Sequence, residues 1–267
     1  ICHVVRCFQD DNITHVSGKV DPLDDVETIN LELIFADLES IEKRYTRISK
    51  IARTKDKDAV RELEILEKIK TTLEEGKSAR TSEFTPEEEP LVKSLFLLTT
   101  KPVLYVANIS EEDVIAGGDN EMVQAVREFA ATEGAEVVTV CARIEEEVAE
   151  LDDEEKAEFL AELGIKESGL DQLIRKAYTL LGLGTYFTAG EKEVRAWTFR
   201  LGMKAPQTAG IIHTDFERGF IRAETVSYAD LLAYGSMQAA KEAGKVRLEG
   251  KDYVVQDGDV MEFRFNV

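Results

Sequence analysis

Ile34, Leu38, Ile41, Tyr45 and Ile48 recur at spacings of 4, 3, 4 and 3 residues, and no other feature of the 267-residue chain constrains its folding as tightly. An apolar seam of that period marks a helix that pairs along its length with another. After the polar stretch Arg53-Thr54-Lys55-Asp56-Lys57-Asp58, a second run sets Ala59, Leu63, Leu66 and Leu73 on one face, with Ile69 filling beside Lys70. Two such helices joined by a short polar turn make an antiparallel hairpin between Asp21 and Pro90, with Gly76 ending its second helix. Thr85-Pro86-Glu87-Glu88 then predicts a further helix, capped by Thr85, with Pro86 in its first turn and Glu88 closing a capping box.

The flanks of the hairpin read as α/β structure. Ile1 to Val5 is a strand-like apolar run with no Met and no polar lead-in, so coding sequence is expected to precede Ile1. Pro102 to Ile109 and the Val-rich Glu136 to Ala142 predict two more strands, separated by an amphipathic helix over Gly118 to Glu133. An acidic stretch from Glu145 to Glu158 and a helix from Gly169 to Leu181 follow. Helices between buried strands imply a parallel sheet with covered faces.

Charge separates this region from the last. The whole chain carries 33 Lys and Arg against 53 Asp and Glu, a net charge of -20, yet from Gly184 onward 11 basic residues face 12 acidic ones. That step suggests a boundary near Leu181-Gly182-Leu183-Gly184. Beyond it, Val194 to Arg200, Phe220 to Val226 and Tyr253 to Gln256 alternate in and out. Asp257-Gly258-Asp259 supplies a turn before a final strand, Val260 to Val267. A small mixed sheet with one or two helices is expected there.

The same numbers exclude function classes. An acidic surface of this size repels DNA and RNA unless a local basic patch exists. No apolar run approaches the roughly 20 residues that span a bilayer, and no signal peptide opens the chain, so a cytoplasmic location without a membrane partner is expected. Cys2, Cys7 and Cys141 lack metal-ligand spacing and rule against a disulfide framework or a structural zinc. They offer no resolving pair for a redox sensor.

Four features bear on chemistry. Gly76-Lys77-Ser78 resembles the tail of a phosphate loop, but position 71 is Thr and the segment follows a helix, so it fails. Asn108-Ile109-Ser110-Glu111 ends a predicted strand, where open α/β sheets bind ligands. GTPases carry Asn-Lys-x-Asp there, the acid accepting from the guanine ring. Ile109 and Glu111 weaken that code and leave Asn108 for an adenine edge, although an ordinary strand-to-loop turn reads the same way. Cys141 and Ala142 end the next strand, where the backbone of a Ser-Ala-type loop touches the base, or where a buried strand end simply carries a small inert thiol. His15 lies in a polar, Gly-containing loop after the first strand and either positions a water or caps a turn at the surface.

The hairpin tip gathers Lys43, Arg44, Arg47, Lys50, Arg53, Lys55 and Lys57, with Asp56 the sole acid between positions 43 and 57. Arg44, Arg47, Lys50, Arg53, Lys55 and Lys57 are candidates for contact with an RNA backbone; a solvated helical tip would look alike.

Longer motifs carry a resemblance. Cys2-His3-Val4-Val5-Arg6-Cys7-Phe8, Asp11-Asn12-Ile13-Thr14-His15-Val16-Ser17-Gly18-Lys19-Val20 and Asn108-Ile109-Ser110-Glu111 resemble the YchF branch of the Obg-like P-loop NTPases. Ile212-His213-Thr214-Asp215-Phe216-Glu217-Arg218-Gly219-Phe220-Ile221-Arg222-Ala223-Glu224 and Gly250 to Val260 resemble that family's TGS domain, a ubiquitin-like β-grasp module. The resemblance implies an α/β fold in three parts: a partial nucleotide-binding domain over 1–20 and 91–183, an inserted coiled-coil hairpin over 21–90, and a TGS domain over 184–267. It further implies a slow ATPase, weakly a GTPase, that binds the ribosome or ribosomal RNA and neither membrane nor DNA. A ribosome-binding adaptor without catalysis is the alternative.

In that reading Asn108, Ile109 (through its backbone), Glu111, Cys141 and Ala142 bind ATP, and His15 takes the place of a catalytic Gln. His213 and Asp215 brace a turn. The phosphate loop and the Mg²⁺ ligands are expected before Ile1, and the residues from Ile1 onward are not expected to hydrolyse ATP by themselves.

Overall fold

The hairpin forms as its apolar seam demands. In the computed structural model, which describes residues 1–16, 18–190 and 193–266, α1 spans Pro22–Ala52 and α2 spans Lys57–Glu74. Ser17 of the His15 loop and Val267 of the expected last strand lie outside the described residues. Asp21 caps α1, accepting from the Asp24 amide at 3.4 Å, and Asp56 caps α2, accepting from the Ala59 amide at 2.8 Å. Each cap satisfies one orphan amide, worth about 1 kcal/mol.

Ile34, Ile41 and Ile48 of α1 pack with Leu66, Ile69 and Leu73 of α2, while Leu38 and Tyr45 flank them half-buried. Ile65, which the spacing left off the face, is buried as well. The same cluster takes in Ala79, Val92 and Leu97, so α2 is covered from more than one side. Asp37 is the unexpected member. Its carboxylate is buried and accepts from the amides of Leu98 and Thr99 at 2.9 and 2.7 Å and from the Thr99 hydroxyl at 2.6 Å. The helix after the hairpin, α3, is shorter than expected, Glu89–Ser94. Glu88 does return to the Thr85 amide at 2.8 Å, but residues 86–88 form only a turn.

The first sheet is parallel, in the order β1 (Cys2–Arg6), β2 (Leu104–Asn108), β3 (Glu136–Val140). Val106 pairs with Val4 and Val138. Around it lie α4 (Glu111–Ile115), α5 (Glu121–Thr132), α6 (Ala142–Ala149), α7 (Asp153–Glu162) and α8 (Gly169–Leu180). Val5, Tyr105, Ala107, Val123, Val126 and Val138 are fully or nearly buried on this sheet and its helices. Three expectations change. The helix foreseen from Gly118 starts at Glu121, because Gly117 and Gly118 take φ of 110° and 82° and Asn120 caps through the Val123 amide at 2.9 Å. Ala142 opens α6 instead of ending β3. The acidic stretch from Glu145 to Glu158 is two helices, separated where Asp152 forms a capping box with Glu155.

The chain divides into two compact units, residues 1–174 and 175–267, a division that falls within α8. In the second unit, β4 (Leu183–Ala189), β5 (Val194–Arg200), β6 (Phe220–Ser227), β7 (Arg247–Glu249) and β8 (Asp259–Phe265) form one mixed sheet in the order β5-β4-β8-β6-β7. The pair β4 and β8 is parallel and the other pairs are antiparallel, as a β-grasp requires. Among the described residues, four short helices accompany it in place of one or two: α9 (Ala205–Ile212), α10 (Thr214–Arg218), α11 (Tyr228–Tyr234) and α12 (Met237–Glu242). Tyr253 to Gln256 is no strand; only Val254 makes a bridge, to Lys204. The core is built on Tyr186, which stacks edge-on against Phe199 and Phe263 and donates its buried hydroxyl to the Thr208 carbonyl at 2.8 Å. Gly219 is required by space: a Cβ there would lie 2.1 Å from the Asn266 carbonyl oxygen.

Candidate functional site

The carboxyl ends of β2 and β3 meet at one polar contact. Asn108, the last residue of β2, accepts the Ala142 amide on its side-chain oxygen at 3.0 Å. Ile109 is buried, and its amide donates to the Val140 carbonyl at 2.9 Å. Ser110 caps α4 in a reciprocal box with Asp113. Glu111 then projects from the first turn and meets Arg143 of α6 at 2.7 Å. A cavity of about 230 Å³ adjoins the turn, lined by Ile109, Val114, Cys141, Ile144 and Glu145 among others.

The structure brings Asn108, Ile109, Glu111, Cys141 and Ala142 together at the ends of β2 and β3, and gives two of them local partners that the sequence does not announce. The Ala142 amide is engaged by Asn108, and the Glu111 carboxylate by a guanidinium. Two residues were missed. Arg143 has no signal beyond its adjacency to Ala142. Asn120 donates to the Cys7 carbonyl at 2.8 Å and to Asp113 at 3.0 Å, tying the end of β1 to the caps of α4 and α5. The Ser110-x-x-Asp113 pattern would have revealed α4.

The His15 loop is built from both ends. The Arg6 guanidinium donates to the carbonyls of Phe8, Ile13 and Asp10 at 3.1, 3.0 and 3.2 Å. Gly18, at φ 75°, turns the chain and donates its amide to the His15 carbonyl at 3.0 Å. His15 itself reaches Asp25 in the first turn of α1, Nε2 to Oδ2 at 3.0 Å. Near it, burial lowers the pKa of His3, opposed by the charges of Asp25 and Glu133.

Two of the three thiols, Cys7 and Cys141, are buried. Burial pushes Cys7 up to about 12, with the charges of Asp113 and Asp25 adding to the effect, and burial also raises Cys141. A thiol so held is not the nucleophilic thiolate that redox sensing needs. At the hairpin tip Arg47, Lys50, Arg53, Lys55 and Lys57 are exposed. Arg44 is different: it pairs with Glu62 of α2 at 2.5 Å and staples the two helices together. In the second unit His213 caps α10 by accepting from the Asp215 amide at 3.2 Å, a turn-forming arrangement.

Among the described residues, no group of three or more His, Cys, Asp or Glu could hold a metal ion. No helix among them is long and apolar enough to cross a membrane.

Comparison with known proteins agrees with this geometry. Residues 183–266 match a family model named YchF-GTPase_C, described as a protein of unknown function. The "Ribosome-binding ATPase YchF" of Bacillus subtilis is 70% identical over 267 residues, covering all of this chain and 73% of that protein. Its Haemophilus influenzae counterpart is 56% identical with the same coverage. The solved structure of the Schizosaccharomyces pombe YchF GTPase superposes with a TM-score of 0.85 at 36% identity, covering 98% of this chain and 71% of that one. A GTP-binding protein from Pyrococcus horikoshii shares the fold at a TM-score of 0.60 and 16% identity. With identity of this extent along its whole length, and with the β2–β3 turn and the β-grasp sheet in place, the chain belongs to the YchF family.

Proposed function

We propose that the chain supplies the base-reading side of a nucleotide pocket in a ribosome-binding NTPase that prefers ATP. The observation that supports this best is the β2–β3 turn. Asn108 holds the loop of Ala142, and the Ile109 carbonyl is an acceptor suited to adenine's exocyclic amine, which a guanine oxygen would repel. Glu111, drawn toward Arg143, is not presented as the paired acceptor that guanine needs. Relatives bearing the name "Ribosome-binding ATPase" support both halves of the reading.

We propose a three-part organisation, with residues 1–20 and 91–183 as nucleotide domain, 21–90 as hairpin and 184–267 as TGS domain. In hydrolysis the water oxygen bonds to the γ-phosphorus as the bond to the bridging oxygen breaks, and ADP and phosphate leave. His15 orders that water. Among the described residues no group of three or more His, Cys, Asp or Glu could hold Mg²⁺. The exposed Arg47, Lys50, Arg53, Lys55 and Lys57 at the hairpin tip serve as the ribosome contact, by neutralising phosphates.

Single-turnover hydrolysis by the full-length protein tests the reading. His15→Ala should leave ATP affinity within about twofold and cut the rate at least about 100-fold, the contribution of a positioned catalytic side chain. An unchanged rate would remove His15 from the mechanism. Arg47, Lys50 and Arg53 changed together to Glu should reduce co-sedimentation with ribosomes while ATP hydrolysis persists. Retained binding would remove the tip from the interface.

A further inference from the structure

The contact between His15 and Asp25 carries more than a place in a loop. Of the described residues between 11 and 16, His15 alone is not exposed. Its partner Asp25 belongs to α1. Asp25 sits in that helix's first turn, its amide donating to the Asp21 carbonyl at 3.1 Å, and the next residue, Val26, is fully buried in the core of the first sheet. The carboxylate is thus fixed to the sheet, while the ring it holds is carried on a surface loop. Arg6 and Gly18 shape that loop so that His15 returns to α1.

We propose that Asp25 is the positioning residue for His15, setting both the direction and the tautomer of its ring; this rests on the reading of His15 as the water-ordering group. An ionised carboxylate only accepts hydrogen bonds, so Nε2 within 3.0 Å of it carries the proton. In a neutral ring so held, Nδ1 is the acceptor nitrogen. A carboxylate behind a histidine performs this service in hydrolases of unrelated fold, where it holds the imidazole in one tautomer and one orientation. The loop supplies the imidazole, and α1 supplies its aim. Asp25 does not itself touch the nucleotide.

The test is a double-mutant cycle in the full-length protein, with single-turnover ATP hydrolysis, ATP affinity and thermal unfolding measured for each variant. Asp25→Asn should lower the hydrolysis rate at least about 10-fold, with ATP affinity within about twofold; the same substitution behind a triad histidine costs about 10⁴. Asp25→Glu should recover part of the rate. In a His15→Ala background, Asp25→Asn should cause no further loss. Should Asp25→Asn fail to fold, Asp25→Ser, which keeps a helix-starting side chain, is expected to show the same pattern. The proposal is overturned if Asp25→Asn hydrolyses ATP at the wild-type rate. It is overturned equally if the loss is as large without His15 as with it, since Asp25 would then only brace α1. A His15→Ala protein of undiminished rate would defeat the reading of His15 first, an outcome distinct from either.

Discussion

Asn108 and Ala142, 34 positions apart in sequence, are joined by a 3.0 Å hydrogen bond from the Ala142 amide to the Asn108 side-chain oxygen. The bond couples the end of β2 to the first residue of α6, so the two loops that would face a base hold one shape. A hydrogen bond of this kind contributes about 1 kcal/mol. Asn108→Ala in the full-length protein should therefore weaken ATP binding about fivefold by titration calorimetry. Asn108→Asp retains the acceptor and should lose less. Wild-type affinity in Asn108→Ala would show that the bridge does not shape the pocket.

Glu111 and Arg143 should govern the choice of base. Their 2.7 Å ion pair is half in solvent, and its own stabilisation is small. Its effect is on direction. Arg143→Ala combined with Glu111→Asp frees and shortens the carboxylate toward the acid that guanine codes for. GTP affinity should then rise relative to ATP by about tenfold, the value of one good paired contact. Competition binding would measure this; an unchanged ratio would mean that selectivity lies elsewhere.

Asp37 should be the most sensitive polar residue of the hairpin. Its carboxylate serves the Leu98 and Thr99 amides and the Thr99 hydroxyl. Asp37→Ala strands all three and should cost about 3 kcal/mol in urea unfolding. Asp37→Asn keeps one acceptor oxygen and should cost less. Equal losses would argue that charge, rather than hydrogen bonding, is what matters there.

His3 should make the protein lose stability in mild acid. Burial lowers its pKa in the folded state, opposed by the charges of Asp25 and Glu133, while the unfolded chain titrates near 6.5. As pH falls below about 6.5, the unfolded state takes a proton that the folded state refuses, so stability drops through that window down to the folded value. His3→Gln should flatten the unfolding free energy between about pH 7 and 5. An unaltered slope would place the acid sensitivity on other groups.

These cases also show which parts of the molecule were legible in the sequence. The hairpin was, because a seam of Ile34, Leu38, Ile41, Tyr45 and Ile48 is a local repeat whose partner follows after one turn. The strands β1, β2 and β3 were, because each is a short run rich in Val; β2 is buried on both faces, while β1 alternates, with Val5 buried and Val4 exposed. Shorter elements escaped. The five-residue α4 has no room for periodicity and shows itself only in its Ser110–Asp113 cap. The strand β4 was hidden under a boundary drawn on glycines and charge. The two residues of Tyr253 to Gln256 that face inward, Tyr253 and Val255, serve a loop against the core, so their alternation mimics a strand without a ladder.

For the site, residue types and spacing determined which side chains could take part: Asn108 and Glu111 after one strand, Ala142 after the next, His15 in the loop after the first. Their local chemistry is written in short windows, and a window is enough to read it. Which of them touch was decided only when the chain closed on itself. Asn108 with Ala142, Glu111 with Arg143, Arg44 with Glu62 and His15 with Asp25 are distances between separate elements, set by sheet register and by the burial of Val26, Ile109 and Leu66. No local preference encodes such distances, because each depends on where the packed core places both partners.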